Sequence, residues 1–171
     1  LILRGITPDT FLARIAPRIV DSTRPGTVAL LPFQDPVVRA AIHEVKYHGN
    51  TRAFTLLGTA LADYLRDQND VGHRMSHIVL IPLGKERMRE RGFNQVEEVV
   101  RHALQSLRRD GGCPLVLDTT LLIRTRETAS QISLPRRERE VNMRGAFRAS
   151  GPVNPRSTYL LIDDVVTTGA T

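Results

Sequence analysis

The chain has 171 residues, 41% hydrophobic and 25% charged, which describes one soluble, globular domain's worth of sequence and excludes a chain too polar to bury a core. Cys113 is the only cysteine, which excludes an intrachain disulfide and a cysteine-rich zinc site and makes a reducing cytoplasm the expected compartment. The net charge of +6 is local: Lys85 to Arg91 carries four basic and two acidic residues and Arg124 to Arg148 seven and three, so the expected partner is a polyanion such as pyrophosphate or a nucleic-acid backbone.

No apolar run is long enough to span a bilayer, and the first residues do not read as a signal peptide, so no membrane partner is expected. Leu1 to Val20 has helical spacing in places, with Thr7 or Asp9 as a cap and Pro17 as an interruption. Thr27 to Leu31 reads as a short strand between Pro25-Gly26 and Pro32. From Asp35, with Pro36 at the first helical position, Val38, Ala41, Ile42 and Val45 recur at helical spacing until Gly49-Asn50. Lys46, one of two lysines, sits in that helix's last turn, where its charge suits the dipole. Ala53 to Arg66 is a second helix, with Phe54, Leu57, Leu61, Tyr64 and Leu65 on its apolar stripe, and Asp67 to Met75 is a connector.

Ile78 to Ile81 is a strand closed by Pro82. The basic segment from Leu83 to Gln95 reads as a loop, followed by an amphipathic helix with Val96, Val99, Val100, Ala103, Leu104 and Leu107 on one face and Asn94 as its cap. A strand, a basic loop and a helix form a βα unit, whose loop lies where ligands bind in open α/β sheets. After the turn at Asp110 to Pro114, Leu115 to Leu117 and Leu121 to Arg124 read as strands. Thr125 to Asn142 is polar and basic with no sustained period, a candidate mobile loop. Met143 to Phe147 returns as a strand, and Gly151 to Ser157 connects it to the last one. The histidines, His43, His48, His73, His77 and His102, are read as lying on separate elements without ligand spacing.

The last stretch, Tyr159-Leu160-Leu161-Ile162-Asp163-Asp164, reads as a buried central strand emerging in two carboxylates. Val166 to Thr171, with three threonines around Gly169, has the composition of an anion-cradling turn. This stretch resembles the phosphoribosyl pyrophosphate (PRPP) motif of type I phosphoribosyltransferases. The resemblance implies that Asp163 and Asp164 hold the ribose hydroxyls, as the residues central to catalysis, and that Val166, Thr167, Thr168, Gly169, Ala170 and Thr171 wrap the 5′-phosphate.

Two further runs resemble the ComF family, phosphoribosyltransferase-fold proteins linked to competence and DNA uptake. One is Ile81-Pro82-Leu83 through Arg87, then Arg91-Gly92-Phe93-Asn94-Gln95. The other is Arg124, Arg126, Thr128 and Gln131, followed by Asn142, Gly145, Ala146 and Phe147. The resemblance implies an α/β, type I phosphoribosyltransferase-like fold, with a mostly parallel sheet flanked by helices. Residues 1–76 would form a partial N-terminal hood and 77–171 the core. Arg87, Arg91, Arg124 and Arg126 would face pyrophosphate, since arginine forks match phosphate oxygens. Mg²⁺ would accompany PRPP as cofactor, and phosphoribose would pass to an unknown acceptor.

A zinc ribbon found in many family members would need N-terminal cysteines absent here, so no zinc is assigned. The alternative reading is a non-catalytic module that handles single-stranded DNA, although 5% aromatic content leaves few stacking platforms. The chain starts without Met and stops within its most informative motif, so the expectation is a C-terminally truncated fragment that binds PRPP weakly for want of the following helix.

Overall fold

Two proline-led caps set the first third of the chain in the computed structural model, which describes residues 2–19, 26–68, 76–111, 114–128 and 136–166. Helix α1 (Pro8–Leu12) is opened by Thr7, whose hydroxyl accepts from the Thr10 amide. Helix α2 (Pro36–Tyr47) is opened by Asp35, whose Oδ1 accepts from the Val37 and Val38 amides at 2.7 and 3.2 Å. Proline fits at the first helical position because its missing N–H would have had no helical partner there. Asn50 then starts α3 (Thr51–Gln68), its Oδ1 accepting from the Arg52 and Ala53 amides. Phe11, the Val38, Ala41, Ile42 and Val45 stripe of α2, and the first half of α3 form one buried cluster.

The second cluster lies under a parallel sheet. Strand β3 (Ser76–Leu80) is its middle, flanked by β4 (Leu115–Asp118) and β7 (Thr158–Ile162), both parallel to it. Ile78 and Leu80 turn toward the later half of α3 and the apolar face of α5 (Gln95–Arg109), where Val100, Ala103, Leu104 and Leu107 are buried. Gly58 lets these helices approach, because a Cβ there would lie 2.6 Å from the His102 Cβ. Short antiparallel pairs stand outside this sheet: β1 (Arg18–Ile19) with β2 (Val28–Ala29), and β5 (Leu122–Arg124) with β6 (Phe147–Ala149). The result is a mixed α/β domain with a small parallel sheet. Among the described residues, no helix is long and apolar enough to cross a membrane.

Several expectations need correction. Lys85 to Arg91 is a helix, α4 (Lys85–Arg91), not a loop. It buries no residue, so it leaves no apolar period to read, and Gly92 stops it in the left-handed region at φ 77°. The end of the predicted mobile loop is likewise a helix, α6 (Arg136–Met143), while residues 129–135 lie outside the described ones. That helix and the turn at Gly145, φ 67°, displace the strand expected from Met143 to Phe147. The helix read into Leu1 to Val20 shrinks to α1, which closes at Ala13 and passes into the tighter turns Arg14 to Phe11 and Ile15 to Leu12 before Pro17 is reached. The strand at Thr27 to Leu31 shrinks to Val28–Ala29.

In the sheet formed by the described residues the last strand is not central. Among the described residues β7 pairs only with β3, and Leu161 is 59% exposed. Its unbroken apolar run divides between two faces: Leu160 and Ile162 pack on the second cluster, whereas Tyr159 stacks on His77 across the other face at 5.0 Å.

Candidate functional site

The register that sets Leu80 opposite Ile162 brings the carboxyl ends of β3 and β7 side by side. From β7 the chain delivers Asp163 and Asp164, and Val165 then packs against the first apolar cluster, as Phe93 does, which pins the strand exit. Asp164 is held by two other segments. Its Oδ2 receives Lys46 Nζ from the last turn of α2 at 2.9 Å and Gln95 Nε2 from the start of α5 at 2.7 Å. The Asp164 side chain is only 16% exposed, so these partners offset much of the cost of removing a carboxylate from water.

The Gln95 amide is oriented from behind, because its Oε1 accepts from Arg91 at 2.8 Å while its Nε2 donates to Asp164. Arg91 also lies over the Tyr47 ring at 5.6 Å, a cation–π distance. Gln95 is 3% exposed and Asn94 7%. Asn94 spends both ends of its amide locally, accepting from the Val96 amide and donating to the Ile81 carbonyl. The start of α5 is thereby fixed to the exit of β3 beside the carboxylates.

Asp163 has the most perturbed acidity here. Burial by surrounding protein, then the neighbouring Asp164 charge, push it up to about 6, against the opposing pull of the Asp164 amide, Lys46 and Arg87. The Asp164 amide donates to Asp163 Oδ1 at 2.9 Å. Asp163 as a residue remains exposed, so water reaches it and screens part of that effect. Two adjacent carboxylates, one resisting ionisation and one already paired, form a rim that favours an added cation or a hydroxyl-rich ligand.

The predicted arginines go to different places. Arg87 on α4 is exposed, and its charge acts on both Asp163 and Arg124. Arg91 reaches Asp164 through Gln95. Arg124, at the end of β5, donates to the Pro82 carbonyl at 3.3 Å, to the Arg126 carbonyl at 3.2 Å and to the Thr128 hydroxyl. Desolvation lowers its pKa, with Glu127 opposing and Arg87 and Arg126 adding to the shift. Arg126 turns away, donating to the Asn142 and Arg144 carbonyls at 2.8 Å. Glu127 Oε1 accepts from the Lys85 amide at the start of α4. Val166 is 37% exposed, while Thr167, Thr168, Gly169, Ala170 and Thr171 lie outside the described residues, as does Gln131.

Two site residues escaped the sequence reading. Lys46 read as a dipole partner and Gln95 as the end of the basic loop, in the Arg91 to Gln95 run, with no role of its own. The signals were the rarity of lysine and a fully polar side chain opening an apolar helix face. The histidine reading is also corrected: His43 and His48 sit at the same end of α2, with ring centroids 5.4 Å apart, and their ligand atoms and that of Glu44 lie within 4.8 Å of one another. His48 caps the helix with non-helical backbone, φ −122°, ψ −6°, so helical spacing misjudges where its side chain falls. A surface groove lined by Arg101, Arg108, Arg109, Leu115 and Val116 lies between α5 and β4 and shares no residue with the carboxylate rim.

Fold and geometry together define a mixed α/β domain with a charged rim at the carboxyl ends of two parallel strands. The chain is 35% identical over 138 residues, 80% of its length, to the DNA utilization protein YhgH of Escherichia coli K12. It is 34% identical to the protein of that name in Shigella flexneri and 33% to that in Salmonella typhimurium, over the same share. The match covers 58% of each relative's length. No family model matches the chain, and no solved structure matches it significantly. These relatives carry the YhgH name rather than ComF, which overturns the ComF assignment drawn from the two arginine-bearing runs. Short runs around a βα turn and a hairpin specify local structure and charge, which unlike families can share.

Proposed function

We propose that this domain binds PRPP at the carboxyl ends of β3 and β7, using a type I phosphoribosyltransferase-like fold with residues 1–76 as a hood and 77–171 as the core. The observation that carries the reading is the paired carboxylate, Asp163 and Asp164, set among Lys46, Gln95 and Arg87. Neighbouring carboxylates suit the two vicinal hydroxyls of a ribose, and Arg87, Arg91 and Lys46 bring positive charge to the side a pyrophosphate would occupy. The Val166 to Thr171 segment supplies the hydroxyls and small residues suited to the 5′-phosphate.

In the transferase form of this reading, the bond from C1′ to pyrophosphate breaks and a bond from C1′ to an acceptor nucleophile forms. The carbocation-like state between them asks the protein for placement and charge rather than a covalent nucleophile. Asp163 fits Mg²⁺ better than Asp164 does, because Asp164 Oδ2 is already engaged by Lys46. Mg²⁺, when bound, offsets the charge of phosphates and carboxylates together.

The test is calorimetry of the chain with PRPP and Mg²⁺, repeated on Asp163→Asn and Asp164→Asn, followed by a pyrophosphate-release screen over bases and amines. Saturable, magnesium-dependent binding lost in both variants supports the proposal. Absence of binding even at PRPP concentrations high enough to reveal a weak complex, or binding unchanged in both, refutes it.

A second reading is favoured by the relatives' name, DNA utilization protein: a module that grips single-stranded DNA through exposed arginines such as Arg87 and Arg89. DNA affinity that falls steeply between two salt concentrations and is indifferent to PRPP would select it.

A further inference from the structure

We propose that His43, Glu44 and His48 form a binding site for a divalent transition-metal ion of the zinc class at the C-terminal end of α2. Their ligand atoms already lie within 4.8 Å of one another. Zinc bonds of about 2.0–2.1 Å in tetrahedral geometry set ligands about 3.4 Å apart, so the cluster needs to close by no more than about 1.4 Å. Both imidazoles are exposed and can rotate to do so.

The donor set points to the metal class. Two imidazole nitrogens and one carboxylate oxygen are borderline ligands that suit zinc and its neighbours, not calcium or magnesium, which take mostly oxygen. Three protein ligands leave a coordination position for water or a substrate group. The place is also electrostatically right, because the last turn of a helix exposes carbonyl oxygens and carries the negative end of the dipole.

The support behind the ligands is the strongest sign of a built arrangement. Asn50 Nδ2 donates to Glu44 Oε2 at 2.8 Å, while Asn50 Oδ1 accepts from the Arg52 and Ala53 amides at the start of α3. Glu44 is therefore held by an arm itself fixed at a helix start, which is how outer partners orient metal ligands. Non-helical backbone at His48 swings its ring toward His43, where a continuing helix would carry it round the axis. Packing of His43 on Tyr47 at 4.8 Å steadies the other imidazole.

The experiment is a calorimetric titration of the chain, free of any polyhistidine tag, with zinc ion alone. Cobalt(II) serves as a spectroscopic stand-in, because four-coordinate cobalt absorbs in the visible. One equivalent should bind, with each of His43→Ala, His48→Ala and Glu44→Gln weakening it by at least about tenfold and removing the cobalt bands. Circular dichroism identifies any variant that fails to fold, and Glu44→Gln changes least in shape. No zinc binding would overturn the proposal, leaving the rings merely packed. Binding that survives all three substitutions but is lost in Asp164→Asn would overturn it too, by moving the metal to the strand exit.

Discussion

Replacing Asp163 by asparagine should stabilise the fold at neutral pH, although the residue belongs to the site proposed for ligand. Asparagine keeps the oxygen that accepts from the Asp164 amide at 2.9 Å and removes the charge facing Asp164. The Asp163 carboxyl is raised from 3.8 to about 6, so the folded state holds its proton more tightly than the unfolded state does. Its contribution to stability is therefore fully present below about pH 3.8 and is lost as pH rises through about 6.

Full burial would put that loss at about 3 kcal/mol. Exposure of Asp163 to water reduces it to roughly 1 kcal/mol. For a chain of this size that is about 2–4 °C in Tm. Thermal melts of Asp163→Asn and the parent chain, run in parallel from acid to neutral pH, should show the variant ahead at pH 7.5 and level with it near pH 3.5. A variant that melts lower at neutral pH, or a gap that does not change with pH, would refute the electrostatic account of the rim.

Lys46→Met should lower stability by about 1–3 kcal/mol, because it strips a charged partner from a carboxylate that is 16% exposed; an unchanged urea midpoint would contradict this. Gly58→Ala should destabilise by at least about 1 kcal/mol, overpacking against His102 outweighing the better helix propensity of alanine; a gain in Tm would show that α5 gives way easily. Asp35→Ala should cost about 1–2 kcal/mol as α2 loses its cap. Burial opposes the Asp35 charge, but the Val37 and Val38 amides and Arg14 outweigh it and lower its pKa, so the gap between parent and Asp35→Ala should close as pH falls below about 4. A gap that persists in acid would remove the charge from that account.

What could be read from the chain followed from where apolar periodicity was strong. α2, α3 and α5 were legible because each buries one face and leaves the other wet, β3 because it is an apolar run buried on both faces, and Asp35 and Asn94 announced their helix starts through cap chemistry. α4 was not, because its seven residues bury nothing and are held by intrinsic propensity and a glycine stop, neither of which makes a pattern. β7 misled because a strand that, among the described residues, is paired on one side and uncovered on one face can be as apolar as an interior one. The adjacent carboxylates and the basic segments could be picked out as residues, though not as a site. Their partners could not: Lys46 and Gln95 reach Asp164 from positions 118 and 69 residues away, and only tertiary structure brings them together.

Arg124 has one further consequence. Its guanidinium latches the β5–β6 hairpin, which lies outside the main sheet, to the Pro82 carbonyl just beyond β3. An anion drawing that side chain toward the rim would have to take it from three oxygens at once, while Glu127 would still hold the same segment to the first turn of α4.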